Sequence, residues 1–155
     1  MKTTKAFLLI LCLALLFVSL FGCTPKTALK PDEFTSIMHK SGLTVTDITA
    51  ETDSSGFATI VLIASNSNFE IEYSQLLNAQ TGEMIYEYNK EEFIKEHPVR
   101  MLSYETNAGN LNCFYFQAGG NFHIISQIGN TLLYCEADEA CKSEILDLFK
   151  TLRYK

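Results

Sequence analysis

The side chains able to move a proton or hold a metal are few and scattered. The chain carries 3 histidines, His39, His97 and His123, with no H-x-x-x-H or Cys/His ligand spacing among them. His39 falls where a first helix should end and His97 where a second should end, positions at which an imidazolium complements the helix dipole. His123, between Phe122 and Ile124 on an expected strand, reads as a lining residue. Glu70 and Glu72 share a strand face, and Glu83, Glu87 and Glu91 run down one helix face. Neither set lies in the closed loop of oxygen ligands that calcium takes. With Lys95 four residues after Glu91, the helical acids read as a solvated face laced with weak ion pairs. For nucleophilic catalysis there is no G-x-S-x-G, and Gly119-Gly120-Asn121 reads as a hairpin turn rather than a phosphate cradle. The expectation is a protein without catalytic residues, cofactor or metal, hence not an enzyme. The competing reading is a hydrolase or metal-dependent enzyme whose scattered acids converge on His123.

Of the 5 cysteines, none forms a C-x-x-C. A bridge between Cys135 and Cys141 would join the last strand to the first turn of the last helix. The other reading makes Cys113, Cys135 and Cys141 small apolar core residues, and both remain open at this level.

The two remaining cysteines belong to the N-terminus. Lys2 and Lys5 precede an unbroken apolar run of 13 residues, Ala6 to Val18, which includes Cys12. That is a basic region followed by a hydrophobic region, shorter than the roughly 18 to 20 residues a membrane-crossing helix needs. The segment that follows, Leu20-Phe21-Gly22-Cys23, resembles the lipobox of bacterial lipoproteins, with Phe21 departing from the small or β-branched residue usual at that place. The resemblance implies that the Cys23 thiol takes a diacylglyceryl group and that the Gly22–Cys23 bond is cut. The protein would then be anchored by lipid on the extracytoplasmic face of the cell membrane. The expected organisation is a signal peptide over 1–22, the lipidated cysteine and a short tether over 23–30, and one domain over 31–155.

Net charge narrows the partners. The chain has 12 Lys and Arg against 18 Asp and Glu; loss of Lys2 and Lys5 leaves 10 against 18, a net charge of −8. A chain of that sign is repelled by phosphate backbones, so no nucleic-acid partner is expected. Docking flat on anionic lipid is equally disfavoured. Two acyl chains, at about 0.8 kcal/mol per buried methylene, anchor it without help from the surface. The protein or small-molecule partner itself is not identified by any motif.

These residues must be positioned by a fold that periodicity outlines. Pro31-Asp32-Glu33 opens a helix with Phe34, Ile37 and Met38 on one side, and Gly42 stops it. Leu43–Thr49, Phe57–Ala64 and a strand alternating Phe69, Ile71 and Tyr73 with acids follow, the second apolar on both faces and expected to be central. A helix over 79–96 carries Gly82, Ile85, Tyr86, Asn89 and Phe93 on one stripe. Strands over 100–106, 111–118, 122–128 and 131–136, separated by Gly/Asn turns, predict an antiparallel meander. A last helix buries Cys141, Ile145, Leu148, Phe149 and Leu152. The order α-βββ-α-ββββ-α predicts one α+β domain with a mainly antiparallel sheet of six to seven strands and three helices.

The mature chain resembles a widespread group of small bacterial lipoproteins through Glu33-Phe34, Gly42, Val45-Thr46-Asp47, Ile71-Glu72, Tyr86, Asn89-Lys90, Phe93 and the stretch from Ile128 to Tyr134. The resemblance implies the fold and the address and carries no activity. In the strand over 111–118, Phe114 and Phe116 alternate with Leu111, Cys113 and Tyr115, so both sheet faces must be covered or one must recognise something. Three helices cover two faces tightly, and the expectation is a partly uncovered aromatic surface near Tyr115.

Overall fold

In the computed structural model, which describes residues 25–52, 56–97 and 102–155, Pro31 opens helix α1 (Pro31–Lys40) at its first position. Gly42 ends it at φ +84°, which lets its own N–H reach the His39 carbonyl and the Leu43 N–H reach Met38. Phe34 and Met38 are fully buried, each contributing on the order of 1.5 to 3 kcal/mol by leaving water.

Strand β1 (Thr44–Asp47) is shorter than its sequence suggests. The Asp47 carboxylate accepts from the Thr49 N–H at 2.9 Å and from its hydroxyl at 2.6 Å, which turns the chain into a one-turn helix, α2 (Thr49–Thr52). Then come β2 (Ala58–Ser65), β3 (Glu70–Leu76) and helix α3 (Ala79–Glu96), started by the Asn78 side chain accepting from the Thr81 N–H. The meander β4 (Leu102–Ala108), β5 (Leu111–Ala118), β6 (Asn121–Ile128) and β7 (Thr131–Asp138) follows. A single 3₁₀ turn, Glu139–Cys141, leads into helix α4 (Lys142–Thr151).

The fold is α+β, built on one antiparallel sheet of seven strands in the order β1-β2-β3-β7-β6-β5-β4. Strand β7 is therefore the middle strand, and β2 lies next to the edge. Its double-sided apolar pattern did not mark the centre: Leu62 and Ala64 face the core while Val61 and Ile63 face the other layer. Both edges carry exposed polar residues, Thr44, Thr46 and Asp47 on β1 and Ser103, Glu105 and Asn107 on β4, which discourages pairing with another chain.

Helices α1 and α4 cover one face, where Phe34, Met38, Ile145, Phe149 and Leu152 pack on Ile71, Tyr73, Ile124, Leu133 and Cys135. The Phe34 and Tyr73 rings stack at 5.0 Å. Helix α3 crosses the other face, where Tyr86 and Phe93 pack on Leu76, Phe114, Phe116, Ile125 and Leu132. At Gly82 the helix comes so close to the β6–β7 turn that an added Cβ would stand 2.6 Å from the Gly129 carbonyl oxygen.

The segment before α1 is not a free tether along its whole length. The Lys26 backbone is held by Asn110, the Tyr73 hydroxyl donates to the Leu29 carbonyl at 2.8 Å, and Leu29 itself is buried. Of the expected tether over 23–30, the stretch from Lys26 onward is thus part of the domain. Gly22, Cys23 and the whole lipobox lie outside the described residues, as do Asp53 to Ser55 and the start of the strand expected from Arg100.

Candidate functional site

Helix α3 spans only part of its face, because it runs from the end of β3 towards the far edge of the sheet. The portion over β2, β3 and the second half of β7 stays open, and an open cleft there is lined by Ile63, Glu70, Glu72, Tyr134 and Glu136. The register explains the gathering. Glu72 is opposite Tyr134 across the β3–β7 pair, and alternation puts Glu70 and Glu136 on the same face. Tyr134 donates to Glu136 Oε2 at 3.1 Å, and Ser74 donates to Glu72 Oε1 at 2.7 Å. Burial raises the Tyr134 pKa, and the neighbouring Glu136 adds to it, so the phenol stays a hydrogen-bond donor at any physiological pH.

His123 forms the inner wall beside this cleft. It is buried on β6 opposite Glu136, its ring lies flat on Phe116 at 4.6 Å, and Phe93 and His97 close over it at 5.8 and 5.0 Å. Its Nδ1 stands 3.7 Å from Glu136 Oε2, too far for a hydrogen bond, and neither ring nitrogen has a partner among the described residues. Burial lowers its pKa; Glu136 and Glu96 pull it up, His97 pushes it down, and the net direction is down. The ring is therefore neutral at pH 7, with one nitrogen able to accept and the other to donate.

Three carboxylates, a phenol donor and an apolar Ile63 floor suit a cation with an aliphatic portion: the oxygens meet the charge, and Ile63 and the Tyr134 ring meet the stem. Among the described residues, no group of three or more His, Cys, Asp or Glu is placed to hold a metal ion. His123 meets one carboxylate within 4 Å there, Glu136, not the two that an acid-base centre built on it would use.

The other sequence candidates are dispersed. His39 is exposed at the end of α1, and His97 is half-buried at the end of α3. Glu83, Glu87 and Glu91 are exposed, and Lys95 pairs with Glu92 at 3.2 Å instead of with Glu91. Glu87 and Glu105 instead flank Lys90, whose ammonium loses solvation by burial but is held charged by Glu105 at 2.5 Å and Glu87 at 3.6 Å.

Cys113, Cys135 and Cys141 are free thiols. Cys135 is buried against α4, which pushes its pKa up to about 12, with Cys141 nearby adding to the shift. Tyr115 is half-buried: it stacks on Tyr104 at 4.9 Å, and Lys155 Nζ lies 5.4 Å from its ring. The more exposed member of that pair is Tyr104.

Glu136 and Tyr134 were missed by sequence reasoning. Their i, i+2 spacing marked them as sharing a face, but nothing local says that β7 lands beside β3 rather than at an edge. No protein-family model, curated protein or solved structure matches the chain. Among the described residues no helix is long and apolar enough to cross a membrane.

Proposed function

We propose that the protein is a lipid-anchored binding module on the extracytoplasmic face of the cell membrane, not an enzyme, and that its cleft takes a cationic group. The anchoring half of this reading rests on the Lys2/Lys5 start, the apolar run and Leu20-Phe21-Gly22-Cys23. The binding half rests on one observation: Glu70, Glu72 and Glu136, from two neighbouring strands, line one cleft around Tyr134, beside the buried His123, whose ring nitrogens have no partner among the described residues. No basic side chain is among the described residues that line this cleft, so nothing there offsets the mutual repulsion of its acids.

The orientation is compatible with such a role. The chain enters the domain at Lys26, beside the β4–β5 turn, while Glu136 lies five residues along β7 from Thr131, about 17 Å from that end of the sheet. A lipid on Cys23 would leave the cleft on the side away from the membrane.

Two measurements test the reading. Mass spectrometry of the native protein should find diacylglyceryl on Cys23 as the N-terminal residue, and Cys23→Ser should move the protein from the detergent phase to the aqueous phase. Retention of Cys23→Ser in the membrane overturns the anchor. A fluorescent tetralysine peptide should bind in low salt, and Glu72→Gln with Glu136→Gln should weaken it about fivefold, on the order of 1 kcal/mol for two solvent-accessible ion pairs. Equal binding by wild type and the double variant overturns the cleft.

A further inference from the structure

Four of the five exposed large hydrophobic side chains among the described residues gather in one place: Phe57 at 46 % exposure, Leu77 at 57 %, Met84 at 52 % and Tyr88 at 64 %. Phe57 and Leu77 are adjacent, with the Leu77 N–H donating to the Phe57 carbonyl at 3.1 Å, and Phe57, Met84, Ile85, Tyr88 and Asn89 line a shallow groove. Scattered single apolar residues need no explanation, but a contiguous set on one surface does.

The position of this patch indicates its occupant. Leu76, next to Leu77, exchanges hydrogen bonds with Asn130, its N–H reaching the Asn130 carbonyl at 2.8 Å and the Asn130 amide reaching its carbonyl at 3.0 Å. That ties the patch to the β6–β7 turn. The neighbouring β4–β5 turn holds Asn110, which grips the Lys26 backbone, and the two turns lie at the same end of the sheet because Leu111 is opposite Ile128. From Lys26 back to Cys23 is three residues, a reach of about 10 Å when fully extended. With two acyl chains on Cys23, this end of the domain cannot leave the bilayer surface by more than that.

We infer that Phe57, Leu77, Met84 and Tyr88 seat on the outer leaflet beside the anchor and fix that end of the domain against it. The inference rests on the lipidation of Cys23 proposed above. Tyr88 suits the interface, where its ring enters the acyl boundary and its hydroxyl stays among headgroups. Glu83 and Glu87 are exposed on the same helix, so the surface is apolar rather than basic and fits a zwitterionic lipid better than an anionic one.

The chain contains no tryptophan, so a single introduced one is a unique reporter. The lipidated full-length mature protein carrying Tyr88→Trp is reconstituted in phosphatidylcholine vesicles whose acyl chains are brominated near the headgroup. Tyr104→Trp, on an exposed site remote from the patch, serves as the comparison. The expected result is blue-shifted emission and at least about twofold stronger quenching for Tyr88→Trp than for Tyr104→Trp, with the difference reduced by Phe57→Ser and Met84→Ser. Co-sedimentation with the vesicles reads the anchor separately. Protein left in the supernatant overturns lipidation and this inference with it. Vesicle-bound protein with equal, weak quenching at both sites overturns the docking surface alone. A blue shift at Tyr88→Trp without bromine quenching means that a second copy covers the patch, which also overturns it.

Discussion

Asn110 holds Lys26 by both of its backbone groups: the Lys26 N–H donates to Asn110 Oδ1 at 2.7 Å, and Asn110 Nδ2 donates to the Lys26 carbonyl at 2.7 Å. A side-chain amide thus does for the entering chain what a strand neighbour would do. The grip is what makes the free link to Cys23 so short. Asn110→Ala should cost about 1 to 2 kcal/mol in urea unfolding, since the Lys26 groups are part-buried and lose both partners. Amide exchange at Lys26 should accelerate more than exchange in β5 or β6; uniform acceleration would mean that Asn110 acts on the whole domain instead.

Gly82→Ala should destabilise the domain despite the better helix propensity of alanine. The gain from propensity is about 1 kcal/mol, whereas a Cβ 2.6 Å from the Gly129 carbonyl oxygen must shift backbone, at a cost of about 1 to 3 kcal/mol. Thermal unfolding reads the net sign. A raised Tm would show that α3 can lift off the β6–β7 turn freely.

Leu148→Ala, in the buried seam of α4, should cost about 2 to 5 kcal/mol by leaving a cavity beneath the helix. Glu87→Ala, exposed and paired loosely with Lys90 at 3.6 Å, should stay within about 0.5 kcal/mol of wild type. Denaturant titration of the two variants side by side separates buried from solvated faces.

Stability should fall as pH drops below the ordinary histidine range. Burial above all holds the folded pKa of His123 below the ordinary histidine value of about 6.5, so just below that pH the unfolded chain binds the proton and the folded chain does not. Any cost of keeping His123 neutral is therefore absent above about pH 6.5 and grows as pH falls towards the folded pKa. The groups facing it are Glu136, His97 and Glu96, and Glu136 opposes the effect. His123→Phe should flatten the slope of unfolding free energy as pH falls below about 6.5, compared with wild type.

Thiol reactivity should rank by burial. Cys113 and Cys135 have pKa values pushed up to about 11 and about 12 by burial, so almost no thiolate is present at pH 8, whereas Cys141 is half-buried at the surface. Alkylation of the folded domain followed by mass mapping should label Cys141 first, with the other two reacting only at the rate of unfolding.

Local signals in the sequence determined a great deal. Pro31 and Gly42 bracket α1 because one fixes φ and the other permits the φ of +84° on which the chain leaves the helix. The stripe through Gly82, Tyr86 and Phe93 sets the buried side of α3, and the Gly-containing turns set the meander, since each depends on residues within a few positions. Where a stop used no such residue it was invisible: α4 ends on Arg153 at φ 71°, held by Tyr154 N–H to Phe149 and by Glu33 at 2.7 Å from its guanidinium, partners from either end of the chain. Only the tertiary structure decided that β7 pairs with β3, which brings Glu136 to Glu70 and Glu72 across more than sixty positions. It also decided that Asn110 reaches Lys26, 84 positions away, and that Phe57, Leu77, Met84 and Tyr88 meet on one surface. Alternation and helical period say which way a side chain faces; which element it faces is settled by how strands order themselves in the sheet, and that order is a property of the whole chain's packing.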